Sequence, residues 1–194
     1  MDPRPDITDK LVHFTSGATE EEAFKRLQKI ITERRLVGSS AKILGNYNCV
    51  CFSEAPLTSL QHGLVNPSAY SCYSPFGILV EKRWIFEQGG RPVIYQPNAE
   101  FELLPEPIRW RHMRYEPGVV DFTWEREWRI KCDELRLEPN LAGIVVPVKK
   151  WAEAFLAEHD EEQDFEVYRY SQIMDELLAE QYRENFSWRI YVLN

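Results

Sequence analysis

Three side chains in this 194-residue chain could move protons or steady a developing positive charge: His13, Glu125 and Glu127. His13 lies in the β-prone run Lys10-Leu-Val-His-Phe14, and Thr15-Ser-Gly-Ala-Thr19 follows as turn and cap, a place where a ring can face a cleft. Imidazole titrates near neutrality, but backbone carbonyls also hold many histidines purely structurally, and position alone leaves both roles open. Glu125 and Glu127 belong to Trp124-Glu-Arg-Glu-Trp-Arg-Ile130, which reads as the opening of a strand. Strand alternation would put both carboxylates on one face, with Arg126 and Trp128 on the other. Such a pair repels. It suits cation binding, or a site where one carboxyl is raised in pKa while the other orients a substrate hydroxyl. It also suits an exposed edge paired with Arg109, Arg111 or Arg129. Together with Asp121 the pair could serve a metal-dependent nuclease, although no lysine stands beside it and Arg126 would oppose the metal.

The four cysteines, Cys49, Cys51, Cys72 and Cys132, contain no C-x-x-C spacing. Cys49 and Cys51 fall on one strand with side chains on opposite faces, so structural thiols are expected and no metal site. A net charge of −8 opposes broad attraction to nucleic acid. The one cation-and-aromatic stretch, Arg109-Trp-Arg-His-Met-Arg114, has two readings: a local single-strand groove, or solvated charges on a strand or loop. The opening MDPRPDITDK lacks a basic segment followed by an apolar one, and no run of 18 apolar residues occurs, so a cytoplasmic location without a membrane span is expected.

Residues 1–194 are expected to fold as a single domain, since this length and an apolar content of 44% can bury one core. Thr19 and Glu22 form a capping box for a helix carrying Ala23, Phe24, Leu27, Ile30 and Ile31 on one stripe and closing near Gly38. Residues 48–53 read as a strand, and Glu54-Ala-Pro-Leu57 as the start of a short helix. Asn66-Pro67 breaks the chain, Tyr73–Val80 is an irregular strand, a helical piece ends at Gly89-Gly90, and Pro92–Gln96 is a further strand. Residues 97–108, with three prolines, form a loop or lid with a short helix. Trp128–Cys132 and the apolar Ala142–Val148 are strands, the second central; helices follow near 149–157 and 171–182 around a polar run, and Trp188–Leu193 is the last strand. Strands and helices do not alternate strictly, which favours α+β: split mixed or antiparallel sheets with flanking helices.

In order along the chain, Val12-His-Phe-Thr15 with its following helix, Cys49-Val-Cys-Phe-Ser-Glu-Ala-Pro-Leu57, and Glu125-Arg-Glu127 resemble the ADP-ribosyltransferase superfamily, in particular its DarT-like and AbiGi-like bacterial defence domains. The resemblance implies a cleft between two small sheets that binds NAD and breaks its nicotinamide–ribose bond. Carried over by position, Glu127 would be the catalytic carboxylate, Glu125 would position or deprotonate the acceptor, and His13 would bind a ribose. Phe14, Thr15, Phe52, Ser53 and Tyr73 would line the NAD site, Thr15 near the nicotinamide amide and Phe52 and Tyr73 stacking on its ring. The implied role is a toxin or phage-defence effector modifying nucleic acid or protein, with an antitoxin or other protein partner. The other reading is a binding module that keeps the fold without the chemistry and offers its acidic stretch, Glu158 to Glu162, to a basic partner.

Overall fold

The computed structural model describes residues 7–55 and 75–193. Tyr73, Cys72, the Asn66-Pro67 break and most of the helix expected from Glu54 lie outside them. The fold is α+β. Its main sheet has the order β1-β4-β10-β11, formed by Lys10–Phe14, Gly77–Glu81, Ala142–Val146 and Arg189–Val192. β1/β4 and β4/β10 pair antiparallel and β10/β11 parallel, so the sheet is mixed. All five residues of β10 are buried, as a continuous apolar run with strands on both sides must be.

A second, antiparallel sheet runs β3-β8-β5, from Cys49–Phe52, Trp128–Lys131 and Arg91–Pro92. Two smaller pairings complete the strands: β2 (Arg35–Val37) with β9 (Glu134–Arg136), and β6 (Ile94–Gln96) with β7 (His112–Arg114). The two larger sheets meet at the bridge of Val12 to Ser53, where each residue's amide donates to the other's carbonyl at 2.9 and 2.8 Å. β1 therefore belongs to one sheet and touches the end of the other.

Helix α1 (Glu20–Glu33) starts as its capping box requires: Thr19 Oγ1 accepts from the Glu22 amide at 3.2 Å. It ends before the expected Gly38. Arg34 turns left-handed (φ 50°), and Leu36-Val37 enter a strand instead, since β-branched and apolar residues gain more there by pairing with β9. The buried face of α1 packs Phe24 against Trp151 and Phe155 of a C-terminal helix at ring distances of 4.6 and 4.7 Å, with Phe76 closing the cluster. Such aromatic pairs contribute about 0.5–1.5 kcal/mol each beyond area burial.

Between them, α2 (Lys82–Glu87) ends at Gly89-Gly90 as expected, and residues 97–111 form two 3-10 helices, Asn98–Leu103 and Glu106–Arg111. The C-terminal helices differ from expectation. Lys149–Ser171 is one continuous helix, α3, and α4 is only Glu176–Glu180. The polar run at 159–164 contains no glycine or proline, and its glutamates and glutamine are good helix formers, so it extends the helix through a largely exposed stretch.

Candidate active site

A cavity of about 70 Å³ opens where the two sheets meet, lined by Val12, His13, Phe14, Cys51, Phe52, Ser53, Trp124, Glu125 and Glu127. Three separate parts of the chain supply it: β1, the end of β3, and the turn entering β8. That room is enough for part of a ligand.

His13 stands on β1 with Nδ1 2.8 Å from the Cys51 carbonyl oxygen. A carbonyl only accepts, so Nδ1 carries the hydrogen, and in the neutral ring Nε2 is left with a lone pair. Burial holds the imidazole below its ordinary pKa, more strongly than the Cys51 hydrogen bond raises it. At neutral pH, His13 is therefore a hydrogen-bond acceptor at Nε2. Phe52 meets its ring edge-on at 5.9 Å.

The glutamates do not sit on a strand. Thr123–Glu125 is a 3-10 turn, Arg126 follows in the left-handed region (φ 48°), and β8 begins only at Trp128. Alternation thus fails as the reason for their shared side; a turn clamped by hydrogen bonds takes its place. Ser53 Oγ and the Glu54 amide both donate to the Glu125 carbonyl, at 2.9 and 3.0 Å. The Glu127 carbonyl accepts from the Val93 amide at 2.9 Å, and the Glu127 amide donates to the Tyr95 hydroxyl at 3.0 Å.

The two carboxyls live in different surroundings although both are buried. Arg129 donates Nε to Glu127 Oε1 at 2.7 Å and Nη2 to Oε2 at 3.3 Å, a two-point ion pair. Its Nη1 donates to the carbonyls of His112 (2.6 Å) and Trp110 (3.2 Å). Burial opposes the Arg129 charge, but the neighbouring Glu127 carboxylate outweighs it, and the guanidinium pKa is raised. Glu125 has no ion pair among the described residues. Burial first, and the Glu127 charge second, push it up to about 7. Cys51, beside them, is pushed up by burial and by the Glu127 charge, and its thiol stays protonated.

Of the residues the sequence singles out, His13, Phe14, Phe52, Ser53, Glu125 and Glu127 line this cavity. Thr15 does not. It is buried, its amide donates to the Phe76 carbonyl at 2.8 Å, and its hydroxyl lies 3.2 Å from the carbonyls of Ala23 and Phe76. Ser53 borders the cavity with its hydroxyl already committed to the turn. Val12, Cys51 and Trp124 also line it, and Tyr95 positions it, none of them marked in the sequence by spacing. Asp121 is exposed, its Oδ1 taken by the Thr123 hydroxyl and amide, and no group of three His, Cys, Asp or Glu able to hold a metal forms among the described residues.

No family model matches the chain, and no curated protein does. Among solved structures, it is similar to DarT from Thermus sp. 2.9 in complex with NAD+, at 10% identity and a TM-score of 0.44 over 99% of this chain and 97% of that one.

The stretch 109–114 is neither an open basic groove nor a set of solvated charges. Trp110 and His112 are buried, Arg109 donates to the carbonyls of Leu104 and Glu102, and Arg111 donates to that of Pro92. At the surface Arg109 also pairs with the Glu102 carboxylate at 2.8 Å, and Arg114 is spent on Glu116. No described helix is long and apolar enough to cross a membrane.

Proposed function

We propose that this chain is an NAD-dependent ADP-ribosyltransferase working in the cytoplasm, a toxin or phage-defence effector whose acceptor is nucleic acid or protein. The observation that carries the reading is convergence: His13 and Glu127, 114 positions apart, line one cavity with Glu125. The lining fits the nicotinamide–ribose end of NAD. Val12, Phe14, Phe52 and Trp124 offer apolar faces to a flat ring, His13 Nε2 can accept from a hydroxyl or amide, and two carboxyls stand where positive charge would develop. Among the described residues no Lys or Arg lines the cavity, so the diphosphate would be held outside that lining.

NAD supplies a nicotinamide–ribose bond whose electron pair leaves with nicotinamide as the acceptor's nucleophile bonds to the ribose carbon. Glu127, fixed by Arg129, would stabilise positive charge on the ribose from a set position. Glu125, pushed to about 7, is matched to taking the acceptor's proton near neutrality. Phe52 would flank the nicotinamide ring and hold His13 edge-on.

The Glu127–Arg129 pair also favours a second reading, a catalytically inactive binding module. A carboxylate satisfied at both oxygens has a structural use that needs no substrate. Thermal unfolding with and without NAD, together with mass spectrometry for released nicotinamide, separates the two. NAD stabilisation of wild type, Glu127→Gln and Glu125→Gln, with release lost in the variants, supports the transferase. No shift and no release by wild type supports the module.

A further inference from the structure

The negative charge of this protein sits in one place. Residues 158–184 hold ten carboxylates against Arg169 and Arg183, a net of −8, which is the net charge of the whole chain. The rest balances. Both arginines are spent on the segment's own carboxylates, Arg169 on Glu166 at 2.7 Å and Arg183 on Asp164 at 2.7 Å and on Glu180. The segment comprises the outer half of α3, its return and α4. In α3 the buried residues are Trp151, Ala152 and Phe155; from 156 to 178 no residue is buried.

This acidic surface is not simply polar. Phe165 and Tyr168, helical neighbours three positions apart, are 60% and 62% exposed, and Ile173 and Leu177 on the return are 79% and 80% exposed. Stacking of Tyr170 on Tyr182 at 4.7 Å draws the return back along the helix. A helix normally buries an apolar face, and exposed apolar side chains gathered on a helical hairpin mark an interaction site.

We infer that this hairpin docks a basic protein, through a segment that sets apolar side chains among lysines or arginines. Charge selects the occupant. A second copy would bring −8 against −8, while nucleic acid and anionic lipid are repelled in the same way. A cationic, amphipathic protein segment satisfies both the carboxylates and the apolar side chains. The inference stands apart from the chemistry of the cavity.

The test uses the full chain and a fluorescent 18-residue amphipathic Lys/Leu peptide, with its Glu/Leu counterpart as control, read by anisotropy over a salt series. Wild type binds the Lys/Leu peptide and not the Glu/Leu one. Ile173→Ser with Leu177→Ser weakens binding tenfold or more, as does Glu161→Lys with Glu162→Lys, the latter also flattening the salt dependence. Leu103→Ser, an exposed apolar residue elsewhere, changes nothing, and all variants unfold at the wild-type temperature. Absence of binding, equal binding of the two peptides, or equal binding by the Ser variants overturns the inference. So does sedimentation showing a dimer that Leu177→Ser dissolves, which would make a second copy the occupant.

Discussion

Glu125→Gln should make the protein more stable at alkaline pH while leaving it almost unchanged in acid. The carboxyl rises from its ordinary 4.5 to about 7 on folding, because it is buried and faces the Glu127 charge. The folded state therefore binds the proton more tightly than the unfolded chain. Between pH 4.5 and 7 the folded protein holds more protons, so stability falls through that window and levels off above it. At about 1.4 kcal/mol per unit, the wild type loses about 3 kcal/mol to this group by pH 8. Glutamine copies the shape of the neutral acid and carries no charge to bury. Urea unfolding of wild type and variant at pH 4.5 and 8.5 measures the effect, since other carboxylates cancel in the difference. The variant should gain about 3 kcal/mol relative to wild type at pH 8.5, or roughly 6–12 °C in melting temperature for a chain of this size. A difference that stays constant between the two pH values would refute the uncompensated burial of Glu125. In nicotinamide release by wild type, the same group should appear as a rising limb centred near pH 7.

Arg129→Met should cost roughly 3–5 kcal/mol in urea unfolding, because Glu127 keeps its charge in a buried place without a partner. Adding Glu127→Leu should recover much of that loss, and no recovery would mean that the His112 and Trp110 carbonyls, not the ion pair, depend on Arg129. Gly77→Ala should cost about 1–3 kcal/mol and weaken any NAD-induced shift in melting, since its Cβ would stand 2.5 Å from the His13 carbonyl oxygen and push β1 off β4. Cys51 should resist iodoacetamide at pH 8 until the protein unfolds, as peptide mapping would show; rapid labelling of the native protein would contradict its burial beside Glu127.

Much of the frame was legible because local signals and burial agree. Thr19 and Glu22 announced α1, and the apolar run at 142–146 announced a central strand that the structure buries completely. The candidate site was legible in part: His13 and the two glutamates do share a cavity. The reason for it was not, because Trp124-Glu-Arg-Glu-Trp carries a strand-like alternation that the left-handed Arg126 interrupts. That conformation depends on the clamps from Ser53, Glu54, Val93 and Tyr95, all remote in sequence. Thr15 misled for a related reason. Its hydroxyl looks suited to a ligand, but the nearest acceptors in the fold are the carbonyls of Ala23 and Phe76. The polar run after Ala157 looks like a gap between helices in the sequence, since a helix with no face to bury has no period to detect.

The asymmetry between Glu125 and Glu127 follows from which neighbour each one has, and it is what gives the cavity chemical direction. Two carboxyls buried side by side cannot both carry charge unless something compensates. Arg129 makes its two-point ion pair with Glu127, and its weaker pull on Glu125, with that of Lys42, does not offset burial and the Glu127 charge. Arg129 lies two positions beyond Glu127 and, through His112 and Trp110, is tied to a segment that holds it in place. The charge cost then falls on Glu125, which retains its proton to about pH 7 while making no ion pair with the described residues. In the proposed reaction, a fixed anion beside a group that gives and takes a proton near neutrality would divide the labour of acid–base chemistry. Moving the arginine's partnership from Glu127 to Glu125 would exchange those roles, so the cavity's chemistry is set as much by Arg129 as by the glutamates.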